Sequence, residues 1–158
     1  MTMKDEISLE LNRITVLSGN GSLSADTANG RLECDIASVD NLACAFDRFE
    51  LKSDRLAGAS TEQLKKVCDS LSSRLSYLLE PIALIETDSD GCVLQMRSNP
   101  PSHEEDKTSY YELVASRGGS LKLCRFGKQS GSSREVVPAS VTLEVFHRLV
   151  NDFDAAVA

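Results

Sequence analysis

A strong helix signal that runs directly into a pair of strands, between residues 59 and 95, constrains the fold of this chain more than any other stretch. Ser60 stands before an apolar-periodic run and Gln63 follows it by three positions, so the two side chains can form a capping box at a helix start. Pro81 ends the segment, because proline lacks an N–H and pushes the preceding residue out of the α region. The spacing predicts an amphipathic helix from about residue 61 to about residue 79. Its apolar side comprises Leu64, Val67, Cys68, Leu71, Leu75, Leu78 and Leu79.

The residues that follow this helix predict a β-hairpin. Residues 82–85 are continuously apolar, which in a strand means that both faces are covered, so we expect a central strand. Residues 88–91 have turn chemistry, because the pair Asp90 and Gly91 tolerates the positive φ of a tight hairpin. Alternation over residues 92–97 indicates the second strand of the hairpin.

The N-terminal part of the chain predicts a strand and then a long connection. Residues 7–17 alternate up to Leu11 and then slip phase. Together with the β-branched residues at 14–16, this pattern favours a bulged strand over a helix. Residues 18–30 are rich in Gly, Ser, Asn and Asp, which predicts a mobile connection.

Two further strands are predicted before the helix. Residues 32–36 alternate between apolar and polar side chains, as in a half-buried strand. Residues 40–41 can turn the chain. Residues 42–51 alternate on either side of a break at Asp47 and Arg48, which indicates a bulged strand, although the helical spacing of its apolar residues leaves a helix as the alternative.

Beyond the first hairpin, the sequence predicts a second hairpin between two polar loops. A proline pair and a short acidic run indicate a mobile surface loop over residues 98–108. Residues 110–116 and 121–126 flank the glycine pair at 118–119, which is a turn signal between two strands. The Gly and Ser residues of 127–135 predict a third mobile connection.

The last segment predicts a second amphipathic helix that opens at Pro138 or Ser140 and closes over the sheet. Its apolar side comprises Leu143, Phe146, Leu149, Val150 and Phe153. The order is then strands, helix, four antiparallel strands and helix. It indicates an α+β fold in which both helices pack on one face of a twisted antiparallel sheet. This element order is similar to that of the TATA-binding-protein-like class of fold, a resemblance that conveys no function.

Length and hydropathy predict a single domain, residues 1–158, that stays in the cytoplasm. The 158 residues are enough for one hydrophobic core and marginal for two. Mean hydropathy is -0.19, and no apolar run approaches the ~18 residues of a membrane span. The N-terminal residues lack the apolar segment of a signal peptide. We therefore expect no membrane partner.

The cysteines predict neither a disulfide framework nor a metal site. They are five in number, widely separated and without a C-x-x-C pair. At least four fall in phase with apolar neighbours, which predicts buried, reduced thiols that act as small hydrophobic side chains. The set is Cys34, Cys44, Cys68, Cys92 and Cys124.

The net charge of -7 and the isoelectric point near 4.8 argue against a nucleic-acid partner. Affinity for nucleic acids depends largely on the neutralisation of phosphates by Lys and Arg. An acidic chain of this kind is kept soluble by its charge instead.

No motif predicts catalysis, a cofactor or a bound metal. His103 and His147 have no neighbouring residue at the spacing of a metal site or of a general base with its partner. Glu86 could open a calcium loop that contains Asp88 and Asp90, but position 12 of that loop would be Arg97 instead of an acid. We therefore interpret residues 88–91 as a turn. No glycine-rich nucleotide-binding loop occurs.

One asymmetry of charge stands out in this acidic sequence. From residue 117 to residue 134 the chain has five cationic residues and no acid: Arg117, Lys122, Arg125, Lys128 and Arg134. Arg97 would join them if the two hairpins are neighbours in the sheet. Either these residues form a solvated sheet face or edge, or Arg97, Arg117, Lys122 and Arg125 contact an anion or an acidic partner.

Two hypotheses of function follow. The first is a non-catalytic protein-binding or assembly module, a homodimer that contacts another protein through its exposed sheet or through the loop at residues 97–109. The second is a small-molecule-binding domain or enzyme, for example a hotdog-like thioesterase. Its pocket would lie between sheet and helices, where Arg97, Lys122 and Arg125 would receive an anionic substrate. The absence of a catalytic motif favours the first hypothesis and leaves enzymatic activity undecided.

Overall fold

The computed structural model describes residues 2–88 and 93–158. Over these residues the chain forms three α-helices and an open, antiparallel sheet of ten strands, which confirms the predicted α+β class. The helices are α1 (Met3–Leu17), α2 (Thr61–Arg74) and α3 (Leu143–Ala156). A 3-10 turn at Leu75–Leu78 extends α2.

Seven strands form the main path of the sheet, in the spatial order β1-β2-β3-β8-β7-β5-β4. Their bounds are β1 Gly21–Asp26, β2 Arg31–Val39, β3 Ala43–Lys52, β4 Ile82–Asp88, β5 Val93–Ser98, β7 Lys107–Ser116 and β8 Ser120–Gln129. Three short strands pair off this path: β6 (Ser102–Glu104) with β7, β9 (Glu135–Val137) with β8, and β10 (Ala139–Thr142) with β3.

One face of the sheet is apolar and the other is charged. On the apolar face, residues that lie directly opposite one another across the strands are buried; Phe49, for example, lies between Cys34 and Leu123. Helix α1 packs against β1, α2 against β5, and α3 against β3 and β10. Four phenylalanines at the centre of this core contact one another at ring-centroid distances of 4.8–6.4 Å. They are Phe46, Phe49, Phe146 and Phe153.

The helix and the two hairpins predicted around the middle of the chain are present. The α-helix ends earlier than predicted, at Arg74, and Leu79, which was predicted on its apolar side, follows the 3-10 turn and is exposed. Ser60 and Gln63 form the predicted capping box at the start of α2. Strands β4 and β5 pair as the first hairpin, whose turn lies outside the described residues, and β7 and β8 pair as the second. The pairing of β2 with β3 skips Asp47, so the predicted bulge is also present.

The prediction of a strand at residues 7–17 is wrong, because these residues belong to α1. Thr2 and Asp5 form a capping box, and the side chains buried on the sheet follow helical spacing. These are Ile7, Leu11 and Ile14. Leu9 produced the apparent alternation, and its side chain is exposed on the outer side of the helix. The chain therefore begins with a helix, so its element order differs from that of the TATA-binding-protein-like class.

Regular structure also extends into the stretches that were predicted as connections. Strand β1 lies within residues 18–30, β6 within 98–108, and β8 continues to Gln129. The predicted start of the last helix, at Pro138 or Ser140, is wrong, because β10 occupies these positions and α3 begins at Leu143 after the N-cap Thr142. Strand β1 has only Leu23 and Ala25 as buried apolar residues, too few for a strand signal, and pairing with β2 and contact with α1 stabilise it.

The prediction that residues 82–85 form a central strand is wrong as well. Strand β4 pairs only with β5 among the described strands, and so it lies at an edge of the sheet. Ile82 is buried, but Leu84 is 47% exposed. A continuous apolar run cannot distinguish a covered central strand from an edge strand that leaves part of its apolar surface free.

Candidate functional site

The charged face divides into two halves whose charges differ in how they are paired. We call the half on β2 and β3 the paired half, because its acidic and basic side chains form ion pairs with one another. Lys52 lies 2.9 Å from Glu33, and Arg48 contacts both Asp35 and Glu50. The half on β5, β7 and β8 is different, because cations and aromatic rings dominate it. We call it the basic half, and it comprises Arg97, Tyr110, Glu112, Lys122, Phe126 and Lys128 of these strands, together with Arg134, which directly precedes β9.

Strand pairing brings the basic half together from distant parts of the chain. Strand β5 of the first hairpin pairs directly with β7 of the second, so the condition for Arg97 to join the cationic residues of β8 is met. In this register Arg97 lies opposite Glu112, and Tyr110 lies opposite Phe126. Directly opposed residues share a face of the sheet, and so these four side chains are neighbours on the charged face.

Glu112 is the anionic centre of the basic half. Its side chain is only 9% exposed, and one oxygen, Oε2, accepts two hydrogen bonds and forms an ion pair with a third nitrogen. Gln95 Nε2 donates at 2.8 Å and Arg134 Nη1 at 2.7 Å, whereas Arg97 Nη2 lies 3.5 Å away. Hydrogen bonds to Tyr110 and Glu112 raise the pKa of Arg134, so this guanidinium stays charged.

Both arginines stack on aromatic rings. The guanidinium of Arg97 lies 4.6 Å from the ring centroid of Tyr110, and that of Arg134 lies 4.0 Å from the ring centroid of Phe126. The two rings contact each other at 6.0 Å. Cation–π contacts of this kind stabilise a guanidinium without using its N–H groups.

A surface groove of about 510 Å³ adjoins these residues where β3 and β8 separate. Strand β3 pairs with β8 over residues 49–52 and with β10 over residues 43–46, and β9 pairs with β8 beyond the separation. The groove is lined by Asp35, Asp47, Arg48, Lys122, Cys124, Phe126 and Val136. Burial raises the pKa of the Cys124 thiol, which favours its uncharged form. The groove can therefore accept an apolar group beside charged ones.

The structure does not bring the four predicted contact residues into one cluster. Arg97 and Lys122 lie on the charged face. Lys122 stands opposite Glu50, whose carboxylate is engaged by Arg48 and Ser120. Arg117 lies exposed in the turn between β7 and β8, where its carbonyl accepts a hydrogen bond from the N–H of Gly58.

Arg125 points to the other side of the sheet. It lies 2.9 Å from Glu80, stacks 4.6 Å from the ring centroid of Tyr111, and is 16% exposed. Because side chains alternate along a strand, Arg125 cannot share a face with Lys122, three positions away. The pocket hypothesis, in which Arg97, Lys122 and Arg125 converge between sheet and helices, does not match these positions.

Sequence reasoning missed the residues that organise the basic half. Arg134 was noted among the cations, but Tyr110, Glu112 and Phe126 were not predicted as site residues. Their alternation along the second hairpin was a usable signal, since positions of equal parity on a regular strand share a face. Arg97 could not be placed beside these residues from the sequence, because its position depends on the pairing of β5 with β7.

The two histidines do not form a catalytic arrangement with each other. His147 lies on α3, where its Nε2 is 3.4 Å from the hydroxyl of Ser8, and burial lowers its pKa. His103 lies on β6, with Nδ1 3.1 Å from the hydroxyl of Thr108. The turn predicted at residues 88–91, for which a calcium loop was the rejected alternative, lies mostly outside the described residues. Over residues 2–88 and 93–158, no three His, Cys, Asp or Glu side chains are placed to hold a metal ion.

Comparison of the chain with models of protein families, with curated proteins and with solved structures found no match. None of the helices in the described part of the chain is long and apolar enough to cross a membrane.

Proposed function

We propose that this protein is a non-catalytic module that binds another protein through the basic half of its charged face. The observation that supports this proposal is the concentration of positive charge on the basic half. In a chain of net charge -7, the basic half presents four cationic side chains against one carboxylate, counted over the described side chains. Complementary charge steers association and excludes partners of the wrong sign. The partner surface is therefore acidic.

Two further observations support binding over catalysis. The space between sheet and helices, where the alternative small-molecule enzyme would need its pocket, is occupied by the four phenylalanines of the core. The groove at the separation of β3 and β8 is open to solvent on the charged face, and its lining mixes apolar and charged residues. Such a surface resembles the centre and rim of a protein interface.

The cytoplasm is the compartment that we propose for this module. Cys34, Cys44, Cys68 and Cys124 are buried free thiols, as their apolar phase predicted, and Cys92 lies outside the described residues. Burial raises the pKa of Cys44 and of Cys68 to about 12. Buried unpaired thiols are typical of proteins that stay in a reducing environment.

The binding proposal predicts that charge reversal on the basic half removes a partner without unfolding the protein. Lys122 and Lys128 are exposed and belong to the basic half, so Lys122→Glu with Lys128→Glu should change the free energy of unfolding by less than about 1 kcal/mol. Native mass spectrometry of the untagged protein from its own host, at low salt, should show a bound polypeptide that this variant loses.

The control is Lys65→Glu with Lys66→Glu, two exposed lysines on α2. This variant has the same change in net charge but leaves the charged face intact, so it should keep the bound polypeptide. Retention of the polypeptide by both variants would contradict the proposal. A stoichiometric small-molecule mass in place of a polypeptide would contradict it too.

We also propose that the module is a homodimer joined at the β4 edge. Strand β4 has one neighbour in the described sheet, and its free edge is a template for further strand pairing. Leu84 is 47% exposed there. Leu79, just before the strand, is 88% exposed and has a φ of 65°, a left-handed conformation that is rare for leucine. Two exposed leucines beside an unpaired edge are expected at a protein contact.

Replacing Leu84 with Lys should therefore convert the dimer to a monomer, because a charged side chain on an edge strand opposes strand pairing. Sedimentation equilibrium at micromolar concentration measures this change. Leu42→Lys is the control. Leu42 is also a highly exposed leucine, at 80%, but it lies in the turn between β2 and β3 and not on β4. A monomeric wild-type protein, or a dimer that survives Leu84→Lys, would rule out this contact.

A further inference from the structure

Arg97 and Arg134 have more hydrogen-bond donors than the fold uses. Each guanidinium has five N–H donors. The Nε of Arg97 is buried without a hydrogen-bond partner in the described part of the chain, and its Nη2 forms an ion pair with Glu112 at 3.5 Å. Arg134 uses a single nitrogen, Nη1, for both Tyr110 and Glu112.

The surroundings hold both guanidinium groups in place. Each stacks on an aromatic ring, and Glu112 lies between them as a shared anion. Oε2 of Glu112 already accepts two hydrogen bonds and forms an ion pair with Arg97, so this oxygen cannot satisfy the remaining N–H groups. A second carboxylate would bind the exposed part of the two guanidinium groups, whose side chains are 35% and 41% exposed, while the Nε of Arg97 stays buried. A planar guanidinium can bind both oxygens of a carboxylate at once.

An apolar site lies beside these arginines. Phe126 carries Arg134 on its ring and also lines the groove at the separation of β3 and β8. Val136 lies opposite Phe126 in the sheet, lines the same groove and is 49% exposed. An anion bound by Arg134 would therefore have an apolar surface immediately next to it.

We infer that Arg97 and Arg134 bind an Asp or Glu carboxylate of the partner protein, and that an apolar side chain next to this acid enters the groove beside Phe126 and Val136. The occupant is thus an acidic polypeptide segment that contains apolar residues. The inference rests on the proposed function and names the chemistry that the basic half recognises.

The positions of the aromatic rings favour such a segment over a nucleic acid. Single-stranded nucleic acids bind through bases that stack on free aromatic faces. The rings of Tyr110 and Phe126 already carry guanidinium groups.

The test replaces both arginines with lysine. Arg97→Lys with Arg134→Lys keeps every charge, including the pairing of Glu112, but removes the planar two-donor geometry. Affinity for a fluorescein-labelled peptide of alternating Asp and Leu, measured by anisotropy, should fall about tenfold, while the thermal midpoint stays within a few degrees. A peptide of alternating Asp and Gly should bind the wild-type protein more weakly than the Asp-Leu peptide.

Equal affinity of the lysine variant and the wild-type protein for the Asp-Leu peptide would overturn the inference, because charge alone would then suffice. Preference for single-stranded oligothymidine over the peptide would overturn it as well. If the double lysine variant fails to fold, Arg134→Lys alone keeps the charge at the more exposed of the two arginines and leaves Arg97 paired with Glu112. Its affinity for the Asp-Leu peptide should also fall, and an unchanged affinity would overturn the inference. Loss of the host polypeptide by Lys122→Glu with Lys128→Glu, but not by the lysine variant, would leave the proposed function standing and reject only this inference.

Discussion

Replacing Arg125 with Met is expected to lower the free energy of unfolding by about 3 kcal/mol, because it leaves the carboxylate of Glu80 without its partner in a largely buried position. The two side chains lie 2.9 Å apart and are each 16% exposed. The guanidinium also loses its contact with the ring of Tyr111. Urea denaturation followed by circular dichroism measures the change.

Two controls distinguish the effect of the ion pair on the free energy of unfolding from that of a substitution elsewhere on the same strand. Lys122→Met, three positions away on the exposed charged face, should change the free energy of unfolding by less than about 0.5 kcal/mol. Arg125→Met combined with Glu80→Leu should recover much of the lost stability, since an apolar pair can replace a buried ion pair. Equal stability of Arg125→Met and Lys122→Met would show that the ion pair contributes nothing measurable.

Replacing Phe49 with Ala is expected to cost about 4 kcal/mol of unfolding free energy. Phe49 is fully buried and contacts three other phenylalanine rings, at centroid distances of 5.6, 5.6 and 4.8 Å. Its removal opens a cavity between the sheet and α3. The same denaturation experiment measures the loss, provided that the variant remains folded without denaturant.

The matched control for this substitution is Phe126→Ala on the charged face. Phe126 is only partly buried, and its main contacts are Tyr110 and Arg134, so its loss should cost about 1 kcal/mol. The same variant should weaken partner binding, which Phe49→Ala should not do while it stays folded. If the two substitutions destabilise the protein equally, the assignment of the hydrophobic core to one face of the sheet is incorrect.

Local signals explain which elements the sequence predicted correctly. Helix α2 has a capping box at Ser60, and a proline follows the 3-10 turn that extends it. Both signals affect the backbone only within a few residues along the chain. The two hairpins were predicted because their strands are short-range neighbours joined by turn residues. Helix α1 was missed although it also has a capping box, because Leu9 stands out of phase with the buried residues and imitates a strand.

The candidate site was predictable only in part. The sequence indicated that cations cluster after residue 117 and that Arg97 could join them. It could not show that β5 and β7 are neighbours, which places Arg97 beside Glu112. It also grouped Arg125 with Lys122, although the alternation along β8 sends them to opposite faces, where Arg125 pairs with Glu80.

The sequence by itself determined the α+β class, helices α2 and α3, the two hairpins and the buried thiols, because spacing, caps and turn residues act over a few positions along the chain. The tertiary structure alone decided that residues 82–88 form an edge, that α1 packs on β1, and that Arg97, Glu112 and Arg134 meet on one face. These outcomes depend on which strands pair and in what register, and pairing is set by contacts between residues far apart in the sequence.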